Sequence, residues 1–296
     1  MMTNFHRIAL ISLVILLSIC SAGCMQSAES EEFGRFSGDR AYQDVIHQVA
    51  LGARHPGTIG HDKILNFMEE ELIKAGWEVE LHEAEIEGKP VINLIAGRGN
   101  HQEYILLGAH YDTRIFADQD PDEELRNQPV PGANDGGSGV AVLLELARTL
   151  PEDLPISVRL VFFDSEDNGG IEDWDWIMGS RAYVRDIDPL PLAAVILDMI
   201  GDADLEIYYE RNSDHLIREQ IWNVGIELGY GDFFFKEEKH SMLDDHTPFL
   251  QAGIPAVDLI DFDYPYWHTT EDTSDKVSPE SLQAIGDTIT VWLLGL

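Results

Sequence analysis

Asp135, Asp167 and His268 provide two carboxylates and one imidazole, each in a turn or just beyond an apolar run of strand length. That donor set suits zinc, and three protein ligands leave a fourth position open to water or substrate, as in catalytic rather than structural sites. Glu166, next to Asp167 in Asp164-Ser165-Glu166-Asp167, is placed to face the open position as a general base. Singly, each residue says little. An aspartate at a strand end more often caps a helix or shapes a turn, and a lone histidine is more often structural. The reading rests on their recurrence at five strand ends of one alternating pattern.

That pattern supplies the positioning elements. Apolar runs at 104–109, 158–163, 193–197 and 256–260 have the length and composition of buried strands, and 79–85 with 91–96 reads as a strand pair. Helical spacing occurs at 42–53, in Ile64, Met68 and Leu72 before the stop at Gly76, and at 139–150, 215–228 and 279–293. Strands alternating with helices predict an α/β fold, a single domain with a mixed, mainly parallel central sheet flanked by helices on both faces. In such sheets, chemistry collects beyond the carboxyl ends of the strands. His110, the 164–167 loop, Asp198 and the loop leading to His268 all follow strand runs, and Asp135 precedes a helix whose amino end favours a carboxylate.

The chain has 296 residues, 44% hydrophobic and 25% charged, enough for a substantial core. Its 54 acidic against 19 basic residues give a formal charge of −35, which argues against nucleic acid as a partner. The same acidity attracts cationic substrates such as peptide amino termini, or simply keeps the surface solvated. Residues 1–24 read as a signal peptide. His6 and Arg7 precede an apolar run at 8–19 that is short for a membrane span, and Ser21-Ala22-Gly23-Cys24 is similar to a lipobox. Lipid attachment at Cys24, export, and a location outside the cytoplasmic membrane with the lipid as sole membrane contact are therefore expected. With Cys20 in the removable segment, no disulfide is expected. Residues 25–40 read as a flexible tether and 41–296 as the catalytic domain, expected to be monomeric.

Several longer motifs are recognisable: Gly108-Ala109-His110-Tyr111-Asp112-Thr113, the run from Gly132 to Val140, Phe162 to Asp167, and Asp245-His246-Thr247-Pro248-Phe249. They resemble the zinc aminopeptidase superfamily. Leu197-Asp198-Met199-Ile200-Gly201, Asp244-Asp245-His246 and Trp267-His268-Thr269 bring the resemblance closer to glutaminyl-peptide cyclotransferases, and Phe116 to Pro121 and Asp258-Leu259-Ile260 to their bacterial members. The resemblance implies Asp135, Asp167 and His268 as ligands of one zinc and Glu166 as catalytic acid/base. It implies Asp198 and Asp244 as hydrogen-bonding acids of the active site and Trp267 as a pocket wall. Trp176 and Trp174 are candidates for the pocket entrance. The implied substrates are peptides or proteins with amino-terminal glutamine. Two departures stand out: animal members carry Glu-Glu where this chain has Glu166-Asp167, and a histidine where it has Asp258. The alternatives are a two-zinc aminopeptidase, in which His110 joins a second metal, and a peptide- or zinc-binding lipoprotein without turnover.

Overall fold

The computed structural model describes residues 35–99 and 101–296. The expected signal segment, Cys24 and residues 25–34 of the expected tether lie outside them. In chain order the elements are α1 (Gly38–Ala50), α2 (Ile59–Lys74), β1 (Glu78–Ile86), β2 (Lys89–Arg98), β3 (Tyr104–His110), α3 (Gly137–Thr149), β4 (Ser157–Phe163), α4 (Met178–Asp186), β5 (Ala193–Asp198), β6 (Ile207–Tyr209), α5 (His215–Glu227), β7 (Phe234–Glu238), α6 (Thr247–Gln251), β8 (Ala256–Ile260) and α7 (Pro279–Leu294). Residues 38–40, expected in the tether, form the first turn of α1 instead. The Ser37 side chain accepts a hydrogen bond from the Arg40 N–H, which satisfies one of the free donors of that turn.

Six strands form one sheet in the order β1-β2-β4-β3-β5-β8. β4, β3, β5 and β8 run parallel to one another, while β1 and β2 add an antiparallel edge. The parallel run matters for function, because it brings the carboxyl ends of four strands to one sheet edge. Strand residues divide between the two faces with the period of two that a pleat imposes. Ile105, Leu107, Ala109, Val195 and Leu197 join the larger core, which includes residues of α1, α2, α3, α5 and α7. Tyr104, Leu106, Ala194 and Ile196 join a second core with Tyr183 of α4 and Phe249 of α6. Both faces are thus covered, which explains why these strands read as continuous apolar runs rather than alternating ones.

α3 lies very close to the sheet. A Cβ at Gly139 would sit 2.2 Å from the Leu197 carbonyl oxygen and 2.8 Å from the Ala109 Cβ. The close approach brings the amino end of α3, and Asp135 before it, up to the strand ends.

Four elements, α4, β6, β7 and the five-residue α6, have no counterpart in the sequence pattern. α4 carries few apolar residues, and of these Met178, Ala182 and Tyr183 are buried. β6 spans three residues and pairs with β7 in a separate two-stranded sheet, too short for a period to show.

Just beyond β8, Asp261 is buried and accepts hydrogen bonds from the Glu206 and Asp263 N–H groups. Burial, with nearby Asp202 and Asp263, pushes its carboxyl up to about 7 despite those bonds. An acid raised in the native state holds a proton that the unfolded chain has released. Its contribution to stability is therefore present below the unfolded pKa of about 3.9 and is lost as pH rises towards about 7, by up to about 1.4 kcal/mol per pH unit. Asp261→Asn is expected to flatten that part of the stability–pH profile relative to wild type. Denaturant unfolding at a series of pH values checks this, and parallel profiles would refute it.

Candidate active site

The loops beyond β4, β5 and β8, with the turn before α3 and the segment before α6, line a cavity of about 220 Å³. Asp135, Glu166, Asp167, Asp198, Asp244 and His268 face it, and so do Trp176 and Trp267. Of the residues assigned to the site by sequence, all but His110 and Trp174 line this one space. Trp174 packs in the small cluster around Ile86, Val91 and Met178, with the Lys89 ammonium 4.8 Å above its ring. Its position in the chain beside Trp176 carries no information about side-chain direction in an irregular loop.

Asp135, Asp167 and His268 each place a donor atom within 4.8 Å of the other two. His268 Nε2 lies 2.7 Å from Asp167 Oδ1 and 3.6 Å from Asp135 Oδ2. Asp135 Oδ2 and Asp167 Oδ2 are buried and accept no hydrogen bond. Orphaned carboxylate oxygens are costly in a protein interior unless a cation meets them. Burial alone would lower the His268 pKa, but Asp167, Asp118 and Asp135 raise it to about 9. Burial and the Asp135 charge push Asp167 up to about 6 against the pull of His268. Protons gathered in this way are those a metal displaces on binding, so the residues present fit zinc by donor type and by charge.

A second group of the same kind adjoins it. His110 Nε2, at the end of β3, is 3.2 Å from Asp135 Oδ1 and 3.2 Å from Asp198 Oδ1. Asp135 thus stands between two imidazoles. Burial raises the Asp135 pKa, but His110 and then His268 bring it below its ordinary value.

Glu166 is held at the cavity wall by the chain rather than by partners of its own carboxyl. Ser165 before it has φ 56, a left-handed conformation, and the Ile177 N–H donates to the Glu166 carbonyl oxygen at 3.0 Å. Burial lifts its pKa well above the usual carboxylate range, with Asp244, Asp167 and Asp245 adding to the rise and His110 opposing it. Asp244, pushed up by burial and by Asp198 to about 7, faces the same space. A carboxyl tuned upward in this way is suited to exchanging protons near neutral pH.

Trp267 stacks on His268 with ring centroids 3.8 Å apart, and Phe262 meets its face edge-on. Asp258 is not on the cavity. It occupies the second-core face of β8, where its Oδ2 lies 3.5 Å from Nδ1 of His246, the residue capping α6. Asp164 is also outside the site, taken up by His61 Nε2 at 2.8 Å and the Ile92 N–H.

Two supporting acids were missed. Asp112 accepts from the Glu166 N–H, the Asp167 N–H and Asn168 Nδ2, so one buried carboxylate carries the loop of Glu166 and Asp167. Asp272 does the same for the turn of Asp135, accepting from the Asn134 and Asp135 N–H groups. Asp112 follows His110 by two residues at a strand end, a signal that was present. Asp272 lies in a loop with no periodicity to mark it.

A parallel α/β sheet with carboxylate and imidazole donors at its carboxyl edge defines a protein of the zinc aminopeptidase-like class. Residues 91–293 match Peptidase family M28, and the chain belongs to that family. Its relatives include the glutaminyl-peptide cyclotransferase of Gloydius blomhoffii, 25% identical over 325 residues that cover 94% of this chain and 85% of that one. The crystal structure of Tannerella forsythia glutaminyl cyclase is 33% identical and superimposes with a TM-score of 0.82, covering 88% of this chain and 99% of that one. A leucine aminopeptidase precursor from Bacteroides thetaiotaomicron is 30% identical with a TM-score of 0.83, over 88% and 98% of the two chains.

Proposed function

We propose that the protein is a zinc-dependent glutaminyl-peptide cyclotransferase, which converts the amino-terminal glutamine of peptides or proteins to pyroglutamate with release of ammonia. The observation that carries this reading is a cavity of about 220 Å³ with acids at its floor and Trp267 stacked directly on His268. Pockets for drug-sized ligands measure roughly 300–1,000 Å³, so this smaller space suits a single small residue. Similarity to glutaminyl cyclases over nearly the whole described chain supports it.

Zinc held by Asp135, Asp167 and His268 supplies a Lewis acid towards the side-chain amide carbonyl of the bound glutamine. The remaining work falls to this chain's residues. Glu166 accepts a proton from the α-ammonium group and frees the nitrogen lone pair. That nitrogen bonds to the amide carbon and sheds a second proton to leave the lactam N–H, the carbon to side-chain nitrogen bond breaks, and Glu166 relays both protons to the departing nitrogen, which leaves as ammonium. Nucleophile and electrophile belong to one residue, so the aromatic wall needs only to hold that residue folded on itself. Asp198 and Asp244 offer hydrogen-bonding positions for the two nitrogens. Export, lipid attachment at Cys24, a monomeric catalytic domain and one zinc per chain complete the proposal.

The grouping of His110, Asp135 and Asp198 favours one other reading, a two-zinc aminopeptidase in which Glu166 activates water. One experiment separates them. The purified protein, with its zinc content measured, is given a glutamine-initiated peptide and, separately, a leucine anilide. Ammonia release with one zinc per chain, abolished by chelation and restored by zinc, is the expected result. Aniline release that requires two zinc ions would assign the aminopeptidase reaction instead.

A further inference from the structure

The segment carrying Arg114 to Asp120 grips the His268 loop at several points, none of which is a metal donor. The Gln119 N–H donates to the His268 carbonyl oxygen at 3.2 Å, and Asp120 Oδ2 accepts from the Thr270 N–H and hydroxyl at 3.0 and 2.7 Å. His268 itself has φ 55, a backbone conformation that a non-glycine residue holds only when its surroundings enforce it. The side chain is addressed as well. His268 Nδ1 is buried with no hydrogen-bond partner, and Asp118 Oδ1 lies 3.5 Å from it.

Asp118 is in turn fixed by a forked pair with Arg114, whose Nε reaches Oδ1 at 2.9 Å and whose second terminal nitrogen reaches Oδ2 at 2.6 Å. The other terminal nitrogen of the same guanidinium donates to the Asp167 carbonyl oxygen at 2.6 Å. The guanidinium also lies 4.9 Å from the Trp176 ring centroid, and that ring is parallel to the His268 imidazole within 8°. Trp176 has no freedom on its other contact, because a Cβ at Gly169 would fall 2.1 Å from the indole.

We infer that Arg114 and Asp118 are positioning residues for the metal-holding set: the forked pair sets a carboxylate against His268 Nδ1, directs Nε2 towards Asp135 and Asp167, and seats Trp176 with the same guanidinium. A carboxylate opposite Nδ1 selects the tautomer whose Nε2 lone pair is free and raises its basicity, and loss of such a partner typically weakens metal affinity about 10–100-fold. The planar fork explains why the cation is arginine: a lysine cannot meet both carboxylate oxygens, a carbonyl and an aromatic face together.

The inference rests on Asp135, Asp167 and His268 as the metal-holding residues. Its test is the zinc dissociation constant of the full chain, measured by competition with a chromogenic chelator. Asp118→Ala leaves the buried Arg114 guanidinium without its carboxylate, so a modest drop in the melting temperature of the zinc-free protein is expected, with zinc weakened about 10–100-fold, by more than that drop accounts for. Asp118→Asn, which keeps an acceptor without the charge, is expected to recover part of that loss. Arg114→Lys is expected to weaken zinc and, at saturating zinc, to raise KM for a glutamine peptide more than it lowers kcat, because Trp176 loses its seat. Wild-type zinc affinity in Asp118→Ala overturns the inference, as does weakening accompanied by a matching loss of zinc-free stability. A wild-type protein that takes up no zinc overturns the reading of the metal-holding residues along with it.

Discussion

Glu166→Gln is expected to lose at least about 10²-fold in single-turnover cyclisation while keeping its zinc, the size of effect that removal of a general base gives. Glutamine preserves the side-chain volume and much of its hydrogen bonding, but it cannot accept the α-ammonium proton. The adjacent residue gives the opposite result. Asp167→Asn removes one of the two carboxylates beside His268 Nε2 and is expected to release zinc, with part of the activity returning when zinc is supplied in excess. Zinc content and single-turnover rate, measured on both variants, distinguish the two roles because each variant spares what the other loses. Zinc loss in Glu166→Gln with retention in Asp167→Asn would exchange the assignments. A near-normal rate for Glu166→Gln would end the proposed mechanism.

Asp112→Asn is expected to destabilise the protein by about 2–4 kcal/mol and to lower turnover more than it lowers zinc content. The Asp112 carboxylate is fully buried and accepts from three donors, the N–H groups of Glu166 and Asp167 and the side-chain amide of Asn168. An asparagine keeps one acceptor oxygen and turns an NH₂ group against donors that no longer have a partner, and each buried polar group left unpaired costs about 1–3 kcal/mol. The loop that loses these bonds also carries the left-handed Ser165, so Glu166 is the residue most displaced when it relaxes. Denaturant unfolding gives the stability change, and steady-state kinetics with zinc analysis give the other two. Unchanged stability together with unchanged turnover would show that the carboxylate supports neither.

The sheet strands were legible because each buried run has apolar residues on both faces. The run at 104–109 matches β3 to within one residue, and 158–163 matches β4 equally well. α1 begins at Gly38 rather than Tyr42 because Ser37 supplies the cap, and a cap is a single hydrogen bond with no periodicity. α4, α6 and the pair β6 and β7 were not legible. They are short, and what stabilises them is contact with residues distant in the chain.

For the site, residue type and position singled out Glu166, Asp167 and His268 beyond strand ends, which a parallel sheet must carry to one edge, and Asp135 at the start of a helix. The tertiary structure decided everything that depends on direction. Trp176 faces the cavity while Trp174 packs beside Lys89; Asp258 turns towards His246, away from the cavity that Asp198 lines. It also revealed Asp112, Asp118 and Asp272, whose partners lie tens of residues or more than a hundred away in sequence. Chemical type and the order of strands are local properties that a chain carries in its letters. Which carboxylate meets which N–H is set by loops with no repeating geometry, and only the folded chain specifies it.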